Sequence, residues 1–146
     1  MISIENSSLE VLFAELLAAL LGVHGEFGIL IYFTPKAAIA RLDMIDNVIE
    51  PSLAGHSELI AEIRAILKRA KAAIGRRHDA MHTLWAFDDP ADGVQQILLP
   101  SFKGGEMNLS TLDKLIADYR SLIEEVIPLI DHVQKARGFG WKAPYR

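Results

Sequence analysis

Ile60, Ile63, Leu67, Ala70 and Ile74 follow one another at intervals of three and four residues. A helix through them gathers one apolar stripe, whereas a strand would scatter the same side chains over both faces. Ser57, just ahead, supplies an N-cap oxygen. Such a stripe must be buried against elements of the same kind, so the remaining chain has to provide them. Ser7, with Glu10 three residues later, forms a capping box before LEVLFAELLAALLGV and predicts a first helix from about residue 8 to about residue 33. Gly22, Gly25 and Gly28 recur every three residues inside it. That spacing keeps them near one side and permits close approach of another backbone, or else weakens and kinks the helix.

Thr34-Pro35 reads as an N-cap followed by a proline at the first helical position, predicting a second helix to Glu50 that Pro51 ends. Gly75 is a place for the third helix to bend, after which the helical pattern resumes through RRHDAMHTLWAF until DDPADG breaks it. VQQILL at residues 94–99 lacks helical support and reads as a short strand, paired with the segment around Phe102. Ser110 with Asp113 starts the last helix, which extends to about Arg137, kinks at Pro128 and stops at Gly138. The expected fold is all-α, a four- to five-helix bundle with a short β-hairpin near residues 94–103. No repeat or second boundary divides residues 1–146, so a single helical-bundle domain is expected.

Composition fits that expectation. Hydrophobic residues make up 51% and charged residues 23%, near the globular average, so disordered and fibrous classes do not apply. The apolar stretch at 9–33 is interrupted by Glu15, His24 and Glu26, and no charge-free run approaches the roughly 20 residues of a membrane span. The start MISIENSSLE has acids and no base, unlike a secretory leader. With no cysteine there is no disulfide, thiolate metal site or cysteine nucleophile, and a cytoplasmic location is expected. A net charge of −4 argues against broad nonspecific binding of nucleic acid, though it does not say where local charges sit.

Phosphate-cradling glycine loops, serine elbows, calcium loops and zinc-protease signatures are absent. What remains is Arg76-Arg77-His78-Asp79-Ala80-Met81-His82, in which four residues separate Arg77 from His82 and a polar residue follows the arginine. This resembles the R-X4-6-H motif of the HEPN superfamily, small helical-bundle domains many of which are metal-independent ribonucleases. His78 stands where that family commonly has asparagine. The resemblance implies a homodimer whose motifs act together at a cleft, with Arg77 binding the scissile phosphate and His82 activating the ribose 2′-hydroxyl or protonating the leaving group. RNA is then the substrate, no cofactor or metal is required, and an antitoxin-like protein is a conceivable partner. The residue types suit the task independently: a guanidinium is always charged and planar, and an imidazole exchanges protons near neutrality. Positions five apart lie about 140° apart on a straight helix. Arg77 must therefore reach around, the helix must bend near Gly75, or two chains must share the work.

KRAKAAIGRR at residues 68–77 adds Lys68, Arg69, Lys71 and Arg76 without one acid. Lys71, Arg76 and His78 are the candidate substrate-binding residues, although bases near a helix C-terminus also complement its dipole. The acid-free tail RGFGWKAPYR interleaves Phe139, Trp141 and Tyr145 with bases, as single-strand binders do, or packs as an arm on its own or a partner chain. His78 and His82, at i and i+4 beside Asp79, share a metal-chelating spacing, for which His24, His56 or His132 would have to supply a third ligand. Met81, Leu84 and Trp85 are read as core or interface anchors, and Asp88, Asp89 and Asp92 as solvated turn residues. The alternative to a nuclease is a noncatalytic module, a helical bundle that dimerises or binds a protein through its apolar faces.

Overall fold

The computed structural model describes residues 2–82, 84–87, 94–97 and 109–138, with side-chain surroundings for 4–80 and 110–138. In chain order these form α1 (Ile2–Leu21), α2 (Gly25–Tyr32), α3 (Ala38–Ser52), α4 (Ser57–His82), β1 (Leu84–Phe87), β2 (Val94–Ile97) and α5 (Leu109–Ala136). The molecule is an all-α helical bundle with one small hairpin appended. α1 and α5 run side by side in the same direction: Tyr119 and Arg120 reach Asn6 and Glu5 at one end, while Gln134 meets Ala18 and Gly22 at the other. α4 runs antiparallel to α5 and α3, as the ion pairs Arg76–Asp118 and Arg69–Glu125 on one side and Lys71–Asp43 and Arg64–Asp46 on the other record. Leu9, Phe13, Leu16, Leu17 and Leu20 of α1 meet Tyr119, Leu122, Val126, Leu129 and Val133 of α5, Ile63, Leu67 and Ala70 of α4, and Ile45 and Ile49 of α3 in one core.

The single first helix expected at 8–33 is two helices. α1 starts earlier, at Ile2, where contacts from α5 to Glu5 and Asn6 hold turns that a local capping box cannot explain. It stops at Gly22, whose φ of 68° is left-handed. The Gly22 N–H donates to the Ala19 carbonyl at 3.3 Å and the Val23 N–H to the Ala18 carbonyl at 3.0 Å, the paired bonds of a Schellman motif. α2 then folds back across α1, the two axes bent by 114°. Close approach does occur, at Gly28: a Cβ there would overlap that of Ala18 and come within 2.8 Å of the Ala14 carbonyl oxygen.

Thr34 does not cap the next helix. Its hydroxyl donates back to the Leu30 carbonyl at 3.0 Å, and the following carbonyls of Pro35 and Lys36 accept from the Arg41 guanidinium at 2.9 and 3.2 Å. That grip delays α3 to Ala38, and α3 passes through Pro51 to Ser52. α4 begins at Ser57 itself, with the Ile60 N–H donating to the His56 carbonyl at 3.0 Å, so His56 and not Ser57 takes the cap position; the helix continues unbroken through Gly75 to His82. The helix does not resume to residue 87, because Leu84–Phe87 form β1 and pair antiparallel with β2, Leu84 opposite Ile97 and Phe87 opposite Val94. The strand expected at 94–99 is thus present as β2 over Val94–Ile97, where it pairs with β1 upstream; the partner segment expected around Phe102 falls outside the described residues. Residues 98–108 lie outside the described ones. α5 runs through Pro128 and ends before Gly138, whose φ is 73°. Among the described residues no single helix is long and apolar enough to cross a membrane.

Candidate functional site

Arg77 belongs to the buried side of α4. Ala73 and Ala70 precede it by four and seven residues and Ala80 follows by three, and all three are buried. Helical geometry therefore carries the Arg77 guanidinium toward the core at the end of the bundle, where α1 begins and α5 has made its first turns. It is half-buried there. Its Nε is sequestered and finds no hydrogen-bond partner among the described residues. Arg137 shares the sequestered Nε, although its guanidinium donates elsewhere to the Ser52 carbonyl at 3.1 Å, whereas Arg41, Arg64, Arg69, Arg76 and Arg120 each meet a carboxylate.

The neighbour that feels Arg77 is Tyr119 of α5, a fully buried ring whose hydroxyl donates to Asn6 Oδ1 at 3.2 Å. Burial pushes the Tyr119 phenol up to about 12, a rise that the positive charge of Arg77 opposes and the negative charge of Glu10 assists. Tyr119 therefore remains a neutral donor at any physiological pH. Glu10 also pairs with Arg41 at 2.6 Å, and the Arg41 guanidinium lies 4.9 Å above the Phe33 ring. This joins the start of α3 and the end of α2 to the same neighbourhood.

The candidate substrate-binding residues are not brought together. Arg76 turns toward α5 and binds Asp118 at 2.7 Å, and Arg69, two turns earlier, binds Glu125 at 2.6 Å. Lys71 turns the other way and binds Asp43 of α3 at 2.6 Å. Arg69 and Arg76 on one side and Lys71 on the other thus face acids on neighbouring helices and do not converge on one surface. His78 is exposed. The side chain of His82, at the last position of α4, and the tail at 139–146 lie outside the described residues.

The paired-histidine metal arrangement finds no third ligand at His24, His56 or His132. His56 and His132 line one cleft with Glu58 and Glu62 at the start of α4, and His24 faces Gln134 at the same end. His78 stands near the opposite end of α4, on the order of 30 Å away at 1.5 Å per residue. Among the described residues no three His, Cys, Asp or Glu side chains could hold a metal ion.

The sequence singled out Arg77 through its spacing to His82 and not through its register on the helix. The signal was present: Ile63, Ala70 and Arg77 repeat every seven residues, which puts the guanidinium on the apolar stripe. Tyr119 and Asn6 carried no such signal, because only the pairing of α1 with α5 makes them neighbours. Comparison of the chain with family models, with curated proteins and with solved structures gives no match.

Proposed function

We propose that this chain is a metal-independent endoribonuclease-like domain, in which Arg77 binds the scissile phosphate and His82 moves the proton at a cleft shared by two copies. The observation that carries the reading is the condition of Arg77. A half-buried guanidinium on an apolar stripe, with a sequestered donor and no acid partner among the described residues, costs stability. Functional sites are where such a cost is tolerated, and an anion supplied by substrate would offset it. The continuity of α4 supports the sharing of the cleft. Because the helix is continuous through Gly75, positions 77 and 82 stay about 140° apart around its axis. Without a bend, one chain aims both at one phosphate only if Arg77 reaches around the helix, a demand that two chains each contributing one of them remove. RNA as substrate, a cytoplasmic location and an antitoxin-like regulator belong to the same proposal. The test is incubation of wild type and His82→Ala with mixed RNA in chelator. Cleavage by wild type alone is expected, and equal background from both would end the assignment.

A second reading, the noncatalytic dimerising module, is favoured by two observations. Lys71, Arg69 and Arg76 already face acids, and α2 presents large apolar side chains outward. In that case RNA cleavage is absent while self-association remains.

A further inference from the structure

We infer that the outer face of α2 is a self-association surface, and that its occupant is a second copy of this chain docked antiparallel about a two-fold axis near Ile31. The inference deepens the self-association proposed above and rests on that reading only for the existence of a second copy.

α2 is built the reverse of an ordinary surface helix. Its inward positions are Gly25, Gly28 and Tyr32, all buried against α1. Its outward positions carry Phe27 and Leu30, 61% and 69% exposed, with Ile31 beside them. The small residues let α2 sink onto Ala14 and Ala18 so closely that a Cβ at Gly28 has no room. The large ones are left for a neighbour that the chain itself does not provide. Val11, one turn before Ala14 on α1, and Phe33 at the end of α2 are also exposed and widen the face.

Charge selects the occupant. Around this face the charged residues of α2 and the turn that follows are Glu26 and Lys36, both exposed, one on each side of the apolar stripe in sequence. Residue 31 lies midway between them in sequence. A two-fold axis there lays each apolar stripe on its own copy and brings Glu26 of one chain toward Lys36 of the other, twice. Isologous contacts require such a self-complementary pattern. An anionic lipid surface would instead favour bases on both sides of the apolar stripe, where α2 offers an acid at one end.

Sedimentation of the full chain at micromolar concentration, without RNA, tests this. The expected species has twice the 16.2 kDa chain mass. Phe27→Glu with Leu30→Glu should sediment as a monomer with an unchanged helical spectrum, since neither side chain is part of the core. Glu26→Lys alone should raise the dimer Kd severalfold at low salt, and adding Lys36→Glu to the same chain should restore it. That rescue is specific to the antiparallel register and decides the matter even where the double glutamate variant fails to fold. A monomeric wild type, a dimer indifferent to the charged pair at 27 and 30, or a Glu26→Lys loss that Lys36→Glu does not repair would overturn the proposal. So would a wild type that stays monomeric yet binds anionic vesicles. A chain that dimerises this way and cuts no RNA would overturn the nuclease reading alone.

Discussion

At the scale of single residues, Arg77 and His82 have different abilities, and the difference makes them separable. A guanidinium offers fixed paired donors and no useful proton exchange, while an imidazole exchanges protons but clamps an anion poorly. Under the proposed chemistry Arg77→Lys keeps weakened RNA binding through its charge yet loses much of the cleavage, and His82→Ala binds nearly normally and hardly cuts. Gel-shift and cleavage assays on the same RNA separate the two effects, and binding unaffected by Arg77→Ala would remove the arginine from the site. Stability gives a second, independent measurement. Replacing Arg77 by methionine removes a sequestered, unpartnered donor from an apolar stripe and keeps much of the side-chain volume. Arg77→Met should therefore be neutral or stabilising by about 1 kcal/mol in urea unfolding while abolishing cleavage. A loss of several kcal/mol would show instead that Arg77 is a structural member of the bundle.

At the scale of elements, the stripes of α1, α4 and α5 were legible because burial imposes a 3.6-residue period that the sequence carries openly. Ser57 stood within one residue of a true boundary, though inside the helix and not at its cap, and Gly138 marked an end because a left-handed glycine acts locally. The misread boundaries depend on distant partners. Thr34 looks like a cap until Arg41 occupies the carbonyls of Pro35 and Lys36 and the Thr34 hydroxyl turns back to Leu30. Gly22, Gly25 and Gly28 looked equivalent, yet one ends a helix and another admits α1. The same distinction hid the ion pairs of Lys71 and Arg76, which need the register of α3 and α5. Gly28 gives this scale its prediction. Alanine in mid-helix ordinarily gains up to about 1 kcal/mol over glycine, but here its methyl group would meet Ala18 and the Ala14 backbone oxygen at 2.8 Å. Backbone yields less readily than a flexible side chain, and overpacking costs about 1–3 kcal/mol. Gly28→Ala should therefore lower stability by about 1–2 kcal/mol, and Gly28→Val should lower it further. A stabilised Gly28→Ala in thermal unfolding would mean that α2 does not lie this close to α1.

At the scale of the whole molecule, the end of the bundle near Arg77 ties global stability to pH. Tyr119 links α5 to α1 through Asn6 and is pushed up to about 12 by burial, with Arg77 pulling the other way. A raised folded pKa means that the native state holds its proton after the unfolded chain, titrating near its ordinary 10.0, has lost its own. Between those values the unfolded state binds fewer protons, so stability falls as pH rises. The contribution is fully present below about pH 10 and is lost towards about pH 12, amounting to at most roughly 3 kcal/mol at about 1.4 kcal/mol per unit, less what solvent screening removes. Tyr32, also raised by burial and by Glu10, adds to the same alkaline decline. Tyr119→Phe should cost about 1 kcal/mol at neutral pH through the lost bond to Asn6, and it should flatten the decline above pH 10 without abolishing the share of Tyr32. Arg77→Met should act in the opposite sense. Without the guanidinium the Tyr119 phenolate is harder still to form in the native state, so the decline should extend to higher pH and grow deeper, even though the same variant is no less stable at neutrality. Urea midpoints for the three proteins across the alkaline range measure both effects together. Parallel curves for wild type and Arg77→Met would mean that the guanidinium does not act on Tyr119, and the placement of Arg77 on the core side of α4 would have to be abandoned with it.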